Sequence, residues 1–550
     1  MSNQKFFSLT LNLNQSFRDI GYLLPFLIGS TILPFIVIDI FNHPYMWGKT
    51  YSVFIAASLG LGILIFTPLQ SYLIKLTART RYLLWGLLGT LIFNYFFHEV
   101  NPFYVETFQR IVFWALVFFF VAFLKIINEG ESYLIFIPLF VGLTVFIFID
   151  LLLYVIFAEH LPYLTFGNQN ISAEYVGFCF ALMMGVRRKF EQQGYGKILD
   201  FLIPFSGTYI LYTNCRSAYI GAILVVFYML VMRELNLKKF FRLFTIFFIF
   251  SLLLYIVFIS FHDPKLLGTV LNKTTSTSGR WIIFLDSLNM LLDKPFGSGL
   301  GSYEFSSIPY LTNLFPNLNE GMIFKSPHVE FLRFLIEDGI VAAGLMAAVI
   351  LFYLYDVRKL LPQTLRTHPE IVAYFIFFSV HFAVQFPLDN PFPFFMTAFM
   401  VAYFITSLNV DVIPLRSSIV KTVLPLLFVI LCVGTLTQIF SRYIDHTYPS
   451  HRKLNALACH LDPSNWSACL NVVSIDLSQG NLKEAEKGAK AELLRRPNNY
   501  HAMRYLAYAY LDQNDKKNAC NLLEKYDDFF ANHSSLNGLK LEKCLNYGRK

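Results

Sequence analysis

The stretch FFRLFTIFFIFSLLLYIVFISF, residues 240–261, carries a single charge, Arg242, in 22 positions. A helix apolar on every side has no face to give to water, whereas a hydrocarbon core about 30 Å thick is crossed by about 20 such residues. Polar character then holds from 262 to 337, through GRWIIFLDSLNMLLDKPFGSGLGSYEF (279–305) and KSPHVEFLRFLIEDGI (325–340), before apolar residues resume. In a chain otherwise made largely of membrane spans, that excursion, with Arg280 and His328, is where chemistry is expected.

Composition agrees with a bilayer as solvent. Of 550 residues, 55% are hydrophobic, 17% aromatic and only 15% charged, which excludes an ordinary soluble globule. Outward from 240–261, spans are expected at 20–41, 51–68, 82–97, 109–125, 133–157, 171–186, 198–212 and 217–232 on one side, and at 338–355, 371–386, 391–408 and 419–440 on the other. They must be helices, because lipid satisfies no free backbone group and no ten-residue alternation suggests a barrel. The fold class is therefore all-α, a polytopic helical membrane protein with about 12–13 transmembrane helices. Met1 to Ser16 is polar and no small-residue cleavage site follows the first span, so that span is expected to be retained.

Lys and Arg of short loops stay on the cytoplasmic side. Counted from a cytoplasmic N-terminus, alternate connections carry Lys75, Arg79 and Arg81; Lys125; Arg187, Arg188, Lys189 and Lys197; Arg233, Lys238, Lys239 and Arg242; Arg358, Lys359 and Arg366; and Arg416 and Lys421. The opposite side holds little beyond Lys49 and Arg216. The 262–337 segment and everything after Tyr443 then face outward. The net charge of +8 belongs to the cytoplasmic loops and implies no nucleic-acid partner.

Residues 446–550 are soluble in character and repeat internally. Segments beginning at Pro463 and Pro497 are 34 residues apart, the tetratricopeptide period, with Gly480 and Asn514 at the inter-helix turn and Ala485 and Ala519 at the close crossing. A periplasmic α-solenoid presenting a groove and a plain cap on the membrane domain both fit. The domains are thus 1–445, including the 262–337 loop, and 446–550. Cys459, Cys469, Cys520 and Cys544 fall in this outward tail, where disulfides persist; Cys459–Cys469 with Cys520–Cys544 is one of three pairings. No Cys-x-x-Cys, His cluster or Asp-x-Asp is present, so no metal and no cofactor is expected.

The candidate catalytic residues are His328, Arg280 and Arg216. A guanidinium at a span junction is costly unless used, although Arg216 could also snorkel to headgroups. Arg280 opens an amphipathic stretch, Trp281 to Leu292, expected to lie on the membrane surface; the alternative is an interfacial anchor beside Trp281. Gly297, Gly299 and Gly301 permit a tight turn with bare amides for an anion. His328 taken alone reads as a satisfied interfacial histidine. Together, two fixed cations, exposed amides and one base suit a diphosphate leaving group and an attacking hydroxyl.

With those residues set out, the pattern resembles the bacterial O-antigen ligase and polymerase superfamily. The resemblance rests on Asn214-Cys-Arg216-Ser, Arg280-Trp281, Pro295-Phe-Gly297-Ser-Gly299-Leu-Gly301-Ser-Tyr-Glu-Phe305, Ser326-Pro-His328 and Glu337-Asp-Gly339-Ile340. Phe166-Gly-Asn168-Gln-Asn170-Ile-Ser-Ala-Glu174 is similar to the family's G-N-x-N stretch, and His381-Phe-Ala-Val-Gln-Phe-Pro387 resembles H-x-x-x-E-Y-P of the protein O-oligosaccharyltransferases, the pilin glycosylation ligase branch. The chain departs from that pattern at Val329, where Asn is common, and at Gln385, where Glu is.

The resemblance implies a GT-C-like fold and a metal-independent glycosyltransferase of the bacterial inner membrane, its site and tail periplasmic. It would move a preassembled glycan from a polyprenyl (undecaprenyl) diphosphate carrier to Ser or Thr hydroxyls of periplasmic proteins. His328 would act on the acceptor proton, Arg216 and Arg280 on the diphosphate, and Asn168, Asn170, Trp281, Gly297, Gly299, Gly301 and His381 would bind substrate. The carrier's tail would need a lateral groove among membrane-lipid-facing helices. The alternatives are an O-antigen ligase acting on lipid A core, an O-antigen polymerase, and, outside enzymes, a transporter or scaffold.

Overall fold

The structure is a computed structural model that describes residues 22–36, 44–66, 72–74, 77–97, 104–125, 132–157, 166, 168–261, 275–310, 326–385, 387–408, 412–414, 417–496 and 499–525. Parts of the polar excursion (262–274 and 311–325), Gly167, Phe386 and Cys544 lie outside these residues. The described chain is helical apart from one short antiparallel ribbon, β1 (Tyr72–Ile74) against β2 (Val412–Pro414), with Leu73 opposite Ile413.

The helices that matter below are α1 (Tyr22–Phe35), α2 (Pro44–Phe66), α3 (Ala78–Phe97), α4 (Tyr104–Leu124), α5 (Phe136–Phe157), α6 (Gln169–Gln192), α7 (Gly196–Thr213), α8 (Arg216–Val231) and α9 (Leu237–Phe261). After them come α10 (Thr275–Asp293), α11 (Glu330–Asp356), α12 (Leu361–Thr367), α13 (Pro369–Val384), α14 (Pro391–Ser407) and α15 (Ser417–Thr447). Among the described residues, five helices are long and apolar enough to cross a membrane, or six if α12 and α13, bent by 94° at His368, count as one. Four shorter apolar helices add to them, α1, the Phe108–Leu124 part of α4, α8 and α14. The protein is therefore multi-pass. Among the described residues fewer helices qualify than the 12–13 expected; the run 217–232, for one, folds into Arg216–Val231, below the length of a full crossing.

The core lies around α14 and the 175–186 part of α6, both apolar on nearly every side and enclosed accordingly. Phe120 meets Phe395 and Phe399 edge-on at 5.3 and 5.1 Å, and Phe26 adds a ring 4.8 Å from Phe399. Such edge-to-face pairs are worth about 0.5–1.5 kcal/mol each beyond burial. On the other side of α6, the Phe377 ring of α13 fills the notch left by Gly177 and Gly221, where an added Cβ would sit 2.0 and 2.6 Å from it. This contact clamps α13 between α6 and α8.

One end of the bundle is tied by ion pairs. Arg187 meets Asp200 at 2.5 Å, Lys189 meets Glu370 at 2.6 Å, Arg188 meets Glu234 at 3.3 Å, and Lys239 and Arg242 pair with Glu191 and Asp200. These hold the C-terminal end of α6 to the starts of α7, α9 and α13. Helix α7 is 18 residues long, so at about 1.5 Å per residue its far end, at Asn214, is about 27 Å away. Arg187, Arg188, Lys189, Lys239 and Arg242 thus lie at one end of these helices, and Arg216 lies at the other.

Beyond Tyr448 the chain forms α16 (Arg452–Leu461), α17 (Trp466–Ser478), α18 (Leu482–Arg495), α19 (Tyr500–Asp512) and α20 (Lys516–Lys525). The starts of α17 and α18 recur 34 residues later in α19 and α20. Gly480 and Asn514 both turn with positive φ, 74° and 60°, and Ala485 and Ala519 are fully buried. The last turns of α15 carry this array: Ser441 Oγ donates to the Ala458 carbonyl at 2.9 Å, while Ser467 and Asn471 donate to Asp445 at 3.0 and 2.8 Å. Cys459 and Cys469 form a disulfide across α16 and α17, and Cys520 is also disulfide-bonded.

Candidate functional site

At the end of α7 remote from the ion pairs, Asn214 takes the left-handed conformation, φ 52°, and reverses the chain in two residues. That turn makes Arg216 the first residue of α8, its side chain exposed. Helix α10 brings the half-buried Arg280 within electrostatic reach of Arg216 and Cys215. Burial lowers the Arg280 guanidinium from its ordinary value, with Arg216 adding to the effect and Cys215 opposing it; an arginine remains charged all the same.

His328 completes the cluster, with Arg280 acting on it across the gap between α10 and α11. Its backbone is left-handed, φ 57°, which costs a non-glycine residue about 1–2 kcal/mol. Strain of this kind persists where surrounding structure holds it, often at functional sites. Here the buried Ser326 precedes it and α11 begins two residues later. Burial first and the Arg280 charge second push the His328 pKa down to about 4, so the imidazole is neutral near pH 7. A neutral imidazole can accept a proton.

The glycine loop is bonded to neighbouring backbone. Its amides are not bare: Gly297 N donates to Lys294 O at 3.0 Å, Ser298 N to Ile336 O at 2.8 Å and Gly299 N to Glu337 O at 3.1 Å. Ile340 N returns a bond to Pro295 O at 2.9 Å. The partner of the loop is the break in α11 at Gly339, with φ 84° and ψ 164°. The two backbones cross so closely that a Cβ on Gly297 would stand 2.6 Å from Glu337 O, and one on Gly339 would stand 2.4 Å from Phe296 C and O. The glycine spacing and the Glu337-Asp-Gly339-Ile340 motif are therefore two halves of one backbone joint. The Gly297, Ser298 and Gly299 donors are already met by backbone carbonyls. The joint fixes α10, and with it Arg280, relative to α11 and His328.

Ion pairs brace the broken helix. Arg110 of α4 forks onto Asp338 at 2.9 and 2.5 Å, and Arg333 bridges Glu337 at 3.1 Å and Asp389. Buried charges persist when paired and hydrogen-bonded, and removing one partner typically costs about 3–5 kcal/mol.

Asn168 and Asn170 form the cap of α6, the Asn168 side chain accepting from Asn170 N at 2.8 Å. His381 is fully buried, 0% exposed, rather than facing a solvent-filled site. Its Nδ1 lies 3.0 Å from the Glu174 carboxylate, Phe377 stacks on its ring at 4.7 Å between centroids, and Asn390 donates to the same carboxylate. Glu174 in turn acts electrostatically on Cys215, next to Arg216. His381 is thus one half of a buried pair with Glu174.

Trp281 is 61% exposed and falls on one stripe of α10 with Leu285 and Leu292, while Ile283, Ser287 and Met290 face inward. Ser287 pairs with the Tyr303 hydroxyl at 2.8 Å, closing α10 onto the glycine loop. Among the described residues, no three His, Cys, Asp or Glu side chains gather closely enough to hold a metal ion.

A multi-pass helical protein with paired arginines and a neutral imidazole at one end of its bundle is the class these features define. Residues 201–347 match the family model described as O-antigen ligase. That match supports the O-antigen ligase superfamily and glycosyl transfer in general, and it takes in Arg216, Arg280, His328 and the glycine loop. No curated protein matches the chain.

Sequence reasoning missed Arg110 and Asp389, and quoted Glu174, Arg333 and Glu337 without assigning them a task. Ionisable residues flanking or inside apolar runs were the available signal. What the signal lacked was a partner, since Arg110 and Asp338 are 228 positions apart.

Proposed function

We propose that the protein transfers a preassembled oligosaccharide from a polyprenyl diphosphate carrier to hydroxyl groups of periplasmic proteins, at the periplasmic face of the inner membrane. The gathering of Arg216, Arg280 and His328 within the segment that matches the O-antigen ligase family carries this reading. The acceptor hydroxyl oxygen attacks the anomeric carbon as the bond from that carbon to the diphosphate oxygen breaks. His328 takes the hydroxyl proton, a role typically worth about 10²–10⁴ in rate. The two guanidiniums hold the diphosphate and balance the charge it gains on leaving. In a water-poor site that electrostatic contribution is the larger one.

The free-state imidazole is a weak base, and the bound diphosphate supplies the correction. Two or more negative charges beside Arg280 and His328 offset the field of Arg280 and raise the imidazole toward its ordinary range. The base thus gains strength when donor is in place.

A protein acceptor is favoured over lipid A core by the tail, whose helix pairs repeat every 34 residues. In this reading 446–550 is a tetratricopeptide-like periplasmic domain carried on α15, and 1–445 is the transfer domain. Purified full-length protein, incubated with carrier-linked glycan and with both acceptors, should place glycan on Ser or Thr of the protein. Glycan appearing on lipid A core instead would reassign the acceptor, and no transfer to either would overturn the reading.

A further inference from the structure

Glu174 is a buried carboxylate for which the transfer chemistry has no use, and it lies 1% exposed among three helices. Its height in the bundle follows from the Phe377 ring, which sits against Gly177 of α6 and Gly221 of α8. One turn from that contact toward the Asn214 end, α6 presents Glu174, α13 presents His381 and α8 presents Ser217. The carboxylate thus stands level with the first turn of α8, and Arg216 is the residue that opens this turn. Both carboxylate oxygens are held: His381 Nδ1 lies 3.0 Å from one, and Asn390 donates to the other. All three side chains belong to buried residues, so the charge is fixed in place and little screened.

Two effects act against the turn. The like charges of Arg216 and Arg280 oppose each other, and α8 starts on Cys215, which offers no oxygen to the first amides. Negative charge near a helix start stabilises it, by up to about 30-fold in a favourable, partly buried geometry. Glu174 supplies that charge. It acts on the Cys215 thiol, and so does Arg280 with the opposite sign.

We propose that Glu174, held by His381 and Asn390, is a positioning residue: it keeps the first turn of α8 formed against the repulsion between the two guanidiniums, and so presents Arg216 to a diphosphate. The inference rests on the transfer reading for the identity of that ligand, and its tests need no transfer. Full-length protein in nanodiscs is assayed for binding of a fluorescent, glycan-free polyprenyl diphosphate. Hydrogen exchange is followed at Tyr219, whose amide closes the turn on the Cys215 carbonyl at 3.2 Å. Glu174→Gln keeps the shape and removes the charge; Asn390, whose Oδ1 has no hydrogen-bond partner among the described residues, can flip to accept from the new amide. Carrier affinity should fall, and exchange at Tyr219 quicken, by about 5- to 30-fold. Deleting a negative charge by itself favours an anion, so tighter binding would overturn the proposal. Glu370→Gln, a buried carboxylate at the opposite end of α13, should leave both readouts unchanged, and equal losses in the two variants would overturn it as well.

In an Arg280→Gln background the repulsion is gone, so the exchange effect of Glu174→Gln should shrink; an undiminished effect would leave Glu174 a packing residue and nothing more. Where Glu174→Gln does not elute like wild type, substitutions of His381 decide. His381→Asn, whose amide can stand where Nδ1 does, should bind carrier within about 2-fold of wild type, whereas His381→Phe should lose as much as Glu174→Gln. Equal binding by these two would overturn the proposal. Exchange that responds as described in a protein that binds no carrier would sustain the hold on the turn and defeat the proposed function. Normal transfer with both readouts unmoved in Glu174→Gln would do the reverse.

Discussion

Replacing Gly339 with alanine attacks the joint that sets the distance between Arg280 and His328. The residue has φ 84° and ψ 164°, a region essentially reserved for glycine, which a side chain occupies at about 1–3 kcal/mol. Its new Cβ would meet the Phe296 carbonyl at 2.4 Å, and backbone on both sides leaves little room to yield. The alternative is to undock the loop and surrender the bonds from Ser298, Gly299 and Ile340, at about 0.5–1.5 kcal/mol net apiece. By the undocking route the joint should weaken by about 1.5–4.5 kcal/mol, which raises its opening constant by about 10- to 2,000-fold. Hydrogen exchange reads that constant directly at the amides of Ser298, Gly299 and Ile340, and glycan transfer in nanodiscs should fall with it. Gly344→Ala is the control, because a Cβ there meets nothing within 4 Å. Wild-type protection at those amides in Gly339→Ala, or equal deprotection in both variants, would refute the account of the joint.

Four further expectations follow from the structure. The acid limb of kcat/KM, which reports the free enzyme, should lie near pH 4 and move up in Arg280→Gln. The limb of kcat should lie higher than that of kcat/KM, because donor is bound; coincident limbs would remove His328 from the proton path. The sign for stability is the same: a folded pKa of about 4 below an ordinary 6.5 makes the folded state lose ground as pH falls through that window and contributes nothing above it. In His328→Gln, pH-dependent exchange near residue 328 should flatten over that window. Arg280→Lys keeps the charge but loses the planar fork, so transfer should drop at least 10-fold with donor KM rising, and an unchanged KM would argue against diphosphate binding there. Cys459→Ser with Cys469→Ser opens a loop of sequence separation 10, which should cost the tail about 3 kcal/mol. Limited proteolysis should then cut 446–525 faster while α1 to α15 stay intact.

Much of the candidate site was legible because its residues are out of place. Arg216, Arg280 and His328 stand out against apolar neighbours, and a polar excursion between spans marks itself. For the glycines less was legible: spaced glycines mean close backbone approach, and sequence does not say to what. The approach is to Gly339, whose own motif had been noted separately. His381 and Glu174 were both noted, but not their pairing, since 207 positions separate them.

Apolar run length and the 34-residue period are local quantities, so the chain by itself determined a helical multi-pass protein with a repeating tail and a polar excursion between apolar runs. Which helices meet is a long-range outcome of packing. Only the tertiary structure decided that α10 docks on the broken helix α11 and that a buried carboxylate holds His381 behind Arg216.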